Sequence, residues 1–284
     1  MIASQIAWLP VKLMCRAAEA SRSGYYAWKV RPESRRDIEN RDLVDKIKAI
    51  HVDTKRAYGS RRIHAELVSQ GIVCDRHRVE RLMRCEGIRA ARMKQVRIPP
   101  DPAHDHPVAP NRLLRNFVVA VLDRVWLADI TQLLTKEGVL YVGLVMDLCS
   151  RMIVGWATRV QRDRWLTMAA VEMAIGWRRP PPALIHHTDQ GGQYACPDYV
   201  AVLARHGILP SMSPPGSPID NAPMESFIKT FKVEHVYEND LATREETEAG
   251  IAEYIQSFYN CRRRHSALGY LSPAEYEKQL RKPS

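Results

Sequence analysis

Hydrophobic and polar positions along the middle of the chain predict a sheet. The segments Val125–Leu134, Val139–Leu148 and Met152–Thr158 are rich in β-branched and aromatic residues, which favour strands. Short turns separate them, first at Lys136-Glu137-Gly138 and then at Cys149-Ser150-Arg151. Because such short connections join antiparallel neighbours, we predict a meander of three antiparallel strands.

The apolar residues that follow take on a helical period. Met168, Val171 and Ile175 share one side of a predicted helix at Arg164–Trp177. The remaining elements alternate: a strand at 184–188, a helix at about 197–206, a strand at 208–212 and a helix that carries Glu225. This order predicts an α/β fold, in which helices flank a mixed five-stranded sheet of the ribonuclease-H-like type.

The first third of the chain is helical in pattern and carries a helix-turn-helix candidate at residues 59–86. Ser60 is a possible cap for a helix that ends near Gly71, and Asp75 is a possible cap for the next helix. Such a second helix enters the DNA major groove. Its candidate DNA contacts are Arg76, Arg78 and Arg81. The alternative is a helical hairpin with a solvated basic face.

Prolines divide the chain. Residues 97–112 contain five of them, which predicts a stiff, extended linker. The predicted organisation is a small all-α basic DNA-binding region at 1–96, the linker at 97–112, a ribonuclease-H-like catalytic core at 113–240, and a C-terminal helix with a basic tail at 241–284.

The positive charge is concentrated in one part of the chain. The net charge is +10, and up to Arg97 there are 22 Lys and Arg against 11 Asp and Glu, whereas the rest is close to neutral. A basic region joined to a near-neutral body favours a nucleic-acid partner over a membrane. The six cysteines are scattered, which is typical of a reducing cytosol. A zinc site at Cys74 and His77 is disfavoured because no second pair follows.

Three carboxylates suggest a metal site. Asp189 ends a predicted strand, and Glu225 lies on a predicted helix with 35 residues between the two. Asp129 lies in the first predicted strand, which we expect to neighbour the strand of Asp189. Carboxylate oxygens suit hard cations such as Mg²⁺, and a pair of such ions can clamp the attacking and leaving oxygens of a phosphoryl transfer. Asp147 is the rival to Asp129, although a pairing with Arg151 across the turn would make it structural.

Basic and polar residues near these carboxylates are candidate DNA contacts. Glu225, Lys229 and Lys232 share one helical face, where the two lysines either hold a phosphate or form an ordinary ion-pair stripe. His187 shares a strand face with Asp189 and is either a DNA contact or a buried histidine. The other candidates are Asn221 in the preceding loop and the cluster Arg262, Arg263 and Arg264 after a capped helix at 243–261.

Motifs spread over nearly the whole chain carry a family resemblance. They are Asp129-Ile130-Thr131, His187-Thr188-Asp189, Gly191, Gln193-Tyr194, Ser217-Pro218, Asp220-Asn221-Ala222, Met224-Glu225-Ser226-Phe227, Lys232, Tyr259-Asn260, Arg264-His265, Leu268-Gly269-Tyr270 and Ser272-Pro273. With them the chain resembles the DDE transposases of the insertion-sequence-three family, specifically the OrfB product with its retroviral-integrase-like core. The resemblance places Asp129, Asp189 and Glu225 on the catalytic triad and Lys232 on the basic residue seven positions after the Glu.

The resemblance also implies an activity and partners. It implies DNA cleavage and strand transfer at the ends of an insertion sequence, with two Mg²⁺ or Mn²⁺ ions per site and a circularised intermediate. It further implies target DNA, other copies of the chain and an upstream-frame OrfA protein as partners, in the bacterial cytoplasm near the nucleoid. Two alternatives remain at this stage: a ribonuclease-H-like nuclease that joins no strands, and a non-catalytic DNA-binding regulator.

Overall fold

The computed structural model describes residues 10–91, 105–214, 217–236 and 243–282. The chain divides into two compact units, Met1–Ala49 and Ile50–Ser284. The sequence instead places a domain boundary in the Pro-rich segment 97–112, and the first half of that segment lies outside the described residues. Within the described ranges, no helix combines the length and apolar character that crossing a membrane requires.

The first unit is helical. It contains α1 (Val11–Ala17), α2 (Arg22–Val30) and the first part of α3, which spans Arg35–Asp53 and continues into the second unit. The Ser21 hydroxyl caps α2 by accepting a hydrogen bond from the Gly24 N–H at 2.9 Å. Tyr25 is buried and packs edge-on against Tyr26.

The second unit contains the predicted helix pair. Helices α4 (Ser60–Ser69) and α5 (Arg76–Cys85) flank a turn in which Gly71 adopts a positive φ of 78°, a conformation that glycine adopts without steric cost. Asp75 caps α5 as predicted, since its carboxylate accepts hydrogen bonds from the backbone of His77 and Arg78. The apolar residues that join the two helices are Ile63, Leu67, Val79, Leu82 and Met83, all buried.

The predicted mixed five-stranded sheet is confirmed. Its strands are β1 (Val125–Thr135), β2 (Gly138–Asp147), β3 (Ile153–Arg159), β4 (Ile185–Thr188) and β5 (Leu209–Met212). They lie in the order β3-β2-β1-β4-β5. The first three strands form the predicted antiparallel meander, and β1, β4 and β5 run parallel. The central position of β1 places its polar residues between the two halves of the sheet.

Helices cover the sheet. They are α6 (Arg164–Arg178), α7 (Gly192–Ala195), α8 (Pro197–Arg205), α9 (Ala222–Phe231), α10 (Arg244–Glu253) and α11 (Pro273–Leu280), with 3₁₀ turns at Pro218–Asn221 and Ser266–Leu268 and π turns at Lys232–Val236 and Tyr254–Tyr259. Helix α6 approaches the meander very closely, because a Cβ added at Gly155 would lie only 2.2 Å from the Ala170 carbonyl oxygen. The core lies between this helix and the sheet.

The C-terminal segment differs in part from its prediction. The capping box of Thr243 and Glu246 is present, but the α-helix ends at Glu253 and continues as the π turn Tyr254–Tyr259. Beyond it, the Asn260 side chain exchanges two hydrogen bonds with the backbone of Ile153, at 3.0 and 2.9 Å, and so satisfies the start of the edge strand β3. Helix α11 follows, which the sequence analysis did not predict.

Candidate active site and nucleic-acid interface

The register of two parallel strands brings Asp129 and Asp189 together. Strand β1 pairs with β4 so that Leu127 lies opposite His187. Asp129 and Asp189 each follow two residues later, Asp129 within β1 and Asp189 just past the end of β4. Because side chains alternate along a strand, each carboxylate shares the face of the residue two positions earlier. The prediction that these two strands are neighbours is therefore confirmed.

An amide hydrogen bond ties the third carboxylate to the same place. The Asn221 Nδ2 donates to the carbonyl oxygen of Ala128 at 3.1 Å. Asn221 is the residue before α9, so this bond holds the start of the helix against β1, one residue from Asp129. Glu225 lies in the first turn of α9 and is half-buried. The helix thereby places Glu225 near Asp129 of the central strand β1 and near Asp189, which follows β4.

The electrostatics of Asp129 show that the three carboxylates act on one another. Burial raises the pKa of Asp129 to about 7, with the negative charges of Asp189 and Glu225 acting in the same direction. The Ile130 N–H, which donates to Asp129 Oδ1 at 2.7 Å, and the charge of Arg162 oppose this rise. The like charges leave Asp129 with a strong need for a proton or a cation.

Lys229 of α9 and Lys232 of the π turn that follows reach the same cluster. Burial raises the pKa of Glu225, and the Lys229 ammonium opposes that rise. Burial lowers the pKa of Lys232, and the Asp129 carboxylate opposes that change. Lys232 is half-buried and Lys229 is exposed. One lysine therefore neighbours the carboxylates, and the other is placed to meet an anion from solvent.

The donor set fits a hard divalent cation. Carboxylate oxygens are the protein ligands that Mg²⁺ and Mn²⁺ prefer, and a cation between these groups would offset the repulsion that raises the pKa of Asp129. Within the described ranges, no three His, Cys, Asp or Glu side chains already stand in a metal-binding group. The three carboxylates therefore lie near one another, but their oxygens do not yet surround a position for a metal ion.

Sequence reasoning missed Arg162. It lies between β3 and α6 and is half-buried. Burial raises the pKa of Asp129 and of Tyr194, and the positive charge of Arg162 opposes both rises. No motif or spacing marks this residue. Its position follows from the strand register, because Arg159 at the end of β3 pairs with Tyr141 of β2, which pairs with Gln132 of β1.

The remaining predicted DNA contacts differ in their exposure. Arg76 and Arg81 on α5 are exposed, as is Lys229, whereas Arg78 is half-buried. Arg262 is exposed and pairs with Asp53. These positions can meet a DNA backbone as they stand, and their role stays a prediction.

Four of the predicted contacts lie in the interior, which corrects the expectation for them. Arg263 is 3% exposed, and its guanidinium forms two hydrogen bonds of 2.7 Å with Glu234. Arg264 is largely buried and pairs with Glu66 and with the Ser69 hydroxyl at 2.8 Å. Their charges are already neutralised within the fold, so the structure gives them a structural role in place of a DNA contact.

The predicted DNA contacts of His187 and Asn221 are corrected for a related reason, because both side chains are buried. His187 is fully buried, and its Nδ1 lies 2.8 Å from the Ser211 hydroxyl. Burial also lowers the pKa of His187 to about 4, so the ring is neutral at pH 7. Asn221 is 5% exposed and holds α9 to β1. The alternative of a buried histidine fits His187, and the amide of Asn221 has a structural contact.

Asp147 proves to be structural, although not through an ion pair with Arg151. Its carboxylate accepts hydrogen bonds from the Asp123 N–H, the Ser150 N–H and the Ser150 hydroxyl, at 2.8, 2.8 and 3.0 Å. The Arg151 guanidinium donates instead to the Phe117 carbonyl oxygen at 3.4 Å. Three donors on one carboxylate fix the turn between β2 and β3.

Comparisons with known proteins agree with this architecture. Two models described as Integrase core domain match residues 122–218 and 206–273, and a model described as HTH-like domain matches residues 37–96. The simian T-cell lymphotropic virus intasome, solved with PP2A regulatory subunit B56 gamma, is similar with a TM-score of 0.49 and 15% identity. That likeness covers 84% of this chain and 76% of the other.

Two curated relatives match along nearly their whole length. The insertion element IS600 uncharacterized 31 kDa protein of Shigella sonnei is 39% identical, over 94% of this chain and 98% of the relative. The transposase InsF for insertion sequence IS3fB of Escherichia coli (strain K12) is 37% identical, over 95% of this chain and 94% of the relative. At this identity and coverage, the chain belongs to the IS3 family of transposases.

Proposed function

We propose that this protein is a DDE-type polynucleotidyl transferase that cuts and joins DNA strands at the ends of an insertion sequence. Asp129, Asp189 and Glu225 are its catalytic carboxylates in this proposal. The observation that carries these assignments is the pKa of Asp129, which burial raises to about 7 with the negative charges of Asp189 and Glu225 acting in the same direction. Perturbed carboxylates of this kind concentrate at functional sites.

The proposed cofactor is Mg²⁺ or Mn²⁺, with two ions held by Asp129, Asp189 and Glu225. When bound, such ions supply charge stabilisation to the attacking and leaving oxygens of the phosphoryl transfer. The chain itself orients the carboxylates. The Ile130 N–H holds Asp129 Oδ1 at 2.7 Å, and the Gly191 N–H holds Asp189 Oδ1 at 3.0 Å. Each N–H thereby fixes the orientation of its aspartate carboxylate.

Two transfers use the same site. In the first, a water oxygen attacks a phosphodiester at the element's end, the P–O3′ bond breaks, and a 3′-hydroxyl and a 5′-phosphate are left. In the second, that 3′-hydroxyl attacks another phosphodiester, so that one P–O bond forms as one breaks. Lys229 and Lys232 lie where they can neutralise the phosphate that reacts.

The helix pair at residues 59–86 supplies the DNA-binding surface in this proposal, next to the catalytic core at 113–240. Arg76 and Arg81 project from α5 into solvent and meet the backbone or base edges of DNA. Assembly of several copies on DNA, a contact with an upstream-frame OrfA protein and association with the nucleoid belong to the same proposal.

A labelled DNA end tests the catalytic part. The full-length protein, incubated with Mg²⁺ and its terminal repeat, should yield both a nicked and a joined product. Asp189→Asn should abolish both products and leave binding of the same duplex within about twofold. Asp198→Asn is the matched control, because Asp198 is an exposed aspartate of α8 whose carboxylate pairs with Arg164 at 3.3 Å.

The outcomes separate the alternatives. Full activity of Asp189→Asn contradicts the assignment of the carboxylates. Nicking without joined product in the unaltered protein identifies a nuclease, and neither product, together with tight binding, identifies a DNA-binding regulator.

A further inference from the structure

A cavity of about 330 Å³ lies beside helix α9, apart from the catalytic carboxylates. Its walls come from α4, from one side of α9, from the C-terminal segment, and from the end of β2 with the turn after it. The residues that matter are Arg62, Arg151, Arg263, His265, Ser226 and Thr230. Ser226 directly follows Glu225 in α9, so the cavity opens next to the helical face that carries the proposed catalytic glutamate.

Three guanidinium groups converge on this cavity. Burial lowers the pKa of His265 to about 2, and the positive charges of Arg263, Arg62 and Arg151 act in the same direction. The described residues that line the cavity include no Asp or Glu. The ring of His265 is consequently neutral and can donate one N–H to a ligand.

The charge of this cavity is only partly offset. Glu234 neutralises Arg263 through two hydrogen bonds of 2.7 Å. In the part of the chain that the structure describes, neither Arg62 nor Arg151 has a carboxylate within ion-pair distance, and both are half-buried. Burial lowers the pKa of each of these two guanidinium groups. Two half-buried positive charges without a carboxylate in ion-pair contact favour the binding of an anion.

The cavity also holds a polar atom without a partner. His265 is 9% exposed, and its Nε2 is buried with no hydrogen-bond partner in the structure. Such atoms are uncommon in folded proteins and mark places where a ligand or water completes the hydrogen bonding. The hydroxyl groups of Ser226 and Thr230 on α9 add two further donors to the same walls.

We propose that this cavity binds a backbone phosphate of the DNA strand that passes the catalytic carboxylates, with Arg62, Arg151 and His265 as its donors. The proposal rests on the proposed function, because it takes DNA as the occupant. Guanidinium groups are the preferred partners of phosphate oxygens. The cavity therefore positions the strand relative to Glu225, and a free phosphate ion is the competing source of the same chemistry.

The test measures binding of a fluorescein-labelled DNA duplex by the full chain in EDTA, at several salt concentrations. The slope of log K against log salt is negative, and each lost phosphate contact reduces its magnitude by about 0.9. Arg62→Met should lower the slope by about that amount, and Arg62→Lys should keep most of it. Because EDTA removes the metal, this result does not depend on whether the protein cuts or joins DNA.

A second pair of variants keeps the test valid should Arg62→Met fail to fold. Ala267 is exposed at the rim of the cavity, so Ala267→Glu should weaken binding roughly threefold to tenfold and Ala267→Lys should strengthen it at low salt. Gln279→Glu and Gln279→Lys are matched controls, because Gln279 is exposed on α11 outside the cavity wall. These controls should change the affinity by less than about twofold.

Inorganic phosphate forms the second arm. If phosphate raises the melting temperature of the unaltered protein but not of Arg62→Met, while the DNA salt slope is equal for both, the cavity binds a free anion and the proposal is overturned. Equal responses of the Ala267 and Gln279 pairs also overturn it. A reduced slope for Arg62→Met together with opposite effects of the two Ala267 variants supports it.

Discussion

Two aspartates on neighbouring strands make opposite use of burial. Asp129 on β1 lies opposite Leu144, and Asp147 on β2 lies opposite Trp126, three positions away along the same ladder. Burial raises the pKa of both. Asp147 accepts three hydrogen bonds, two from Ser150 in its turn and one from the Asp123 N–H before β1, whereas Asp129 accepts one from the Ile130 N–H and is repelled by two further carboxylates. What distinguishes the candidate catalytic group is therefore its weaker compensation and not the burial itself.

The cations next to the two aspartates differ in the same way. Near Asp147, the Arg178 guanidinium is 5% exposed and pairs with both Asp123 and Glu277 at 2.9 and 2.8 Å. Near the proposed catalytic carboxylates, Lys232 is half-buried and neighbours Asp129, and Lys229 is exposed and acts on Glu225. The first region has neutralised its charges and stabilises the fold, while in our proposal the second keeps its charges for a ligand.

The largest expected effect is on the rate of strand cleavage, when Asp129 and Asp147 are each replaced by asparagine in separate variants. Asp129→Asn should lower the strand-cleavage rate by roughly a thousandfold or more, which corresponds to about 4 kcal/mol of lost transition-state stabilisation. Asp147→Asn should lower the melting temperature, yet the folded fraction should still cleave. Rates per folded molecule, from a gel assay with the folded fraction taken from circular dichroism, compare the two. Equal losses of cleavage rate in the two variants would contradict the distinction between a catalytic Asp129 and a structural Asp147.

The next effect concerns stability in the compensated region. Arg178→Met leaves Asp123 and Glu277 without their shared partner, and breaking a buried pair typically costs about 3–5 kcal/mol. Denaturant unfolding measures that cost. The matched variant is Arg159→Met, since the Arg159 guanidinium is 44% exposed and pairs with Asp163 at 3.2 Å, a setting worth about 1 kcal/mol or less. A small cost at Arg178 would mean that this region is not the closed network described above.

The sequence predicted the sheet well and the individual contacts poorly. The β-branched and aromatic residues, together with the short turns between them, located β1, β2 and β3 to within one residue, because such residues favour strands. The proximity of Asp129 and Asp189 was also predicted, because their two strands were expected to be neighbours and are paired. Helix α11 was missed even though Ser272 and Glu275 form a capping box that the sequence displays.

The sequence failed to predict the roles of side chains whose hydrogen-bond partners are distant along the chain. Arg263 reads as part of a basic tail, and its partner Glu234 lies 29 residues earlier, a distance over which no local pattern operates. His187 has a polar side chain at the end of a strand, and its burial depends on the β4–β5 pairing that brings Ser211 to it. Such partnerships are tertiary, so the residue types alone left both alternatives open.

The third prediction uses the raised pKa of Asp129. Its folded pKa of about 7 lies above the ordinary 3.8, so the folded state holds the proton more tightly and loses stability as the pH rises through that interval. The full interval corresponds to about 4 kcal/mol at most, and solvent screening of a half-buried group reduces this to about 1–2 kcal/mol. In EDTA, Asp129→Asn should therefore be more stable than the unaltered protein at pH 8.

The control is the same pair of proteins at pH 4, where the carboxyl is largely protonated and the difference should nearly vanish. Adding Mg²⁺ at pH 8 should reverse the order, because the cation stabilises only the carboxylate form. A stability difference that does not change with pH would show that the charge of Asp129 is compensated in the fold, as that of Asp147 is.

The smallest expected effect tests whether Lys229, the exposed cation beside Glu225, is kept for DNA. Lys229→Met should change the free energy of unfolding by less than about 0.5 kcal/mol, as for most surface positions. The same substitution should lower the salt slope of DNA binding by about 0.9, the contribution of one phosphate contact. Lys278→Met, at an exposed position of α11, is the matched control and should change neither quantity. An unchanged slope for Lys229→Met would place this lysine with the ordinary solvated ion pairs and leave the uncompensated charge in this region to the carboxylates and Lys232 alone.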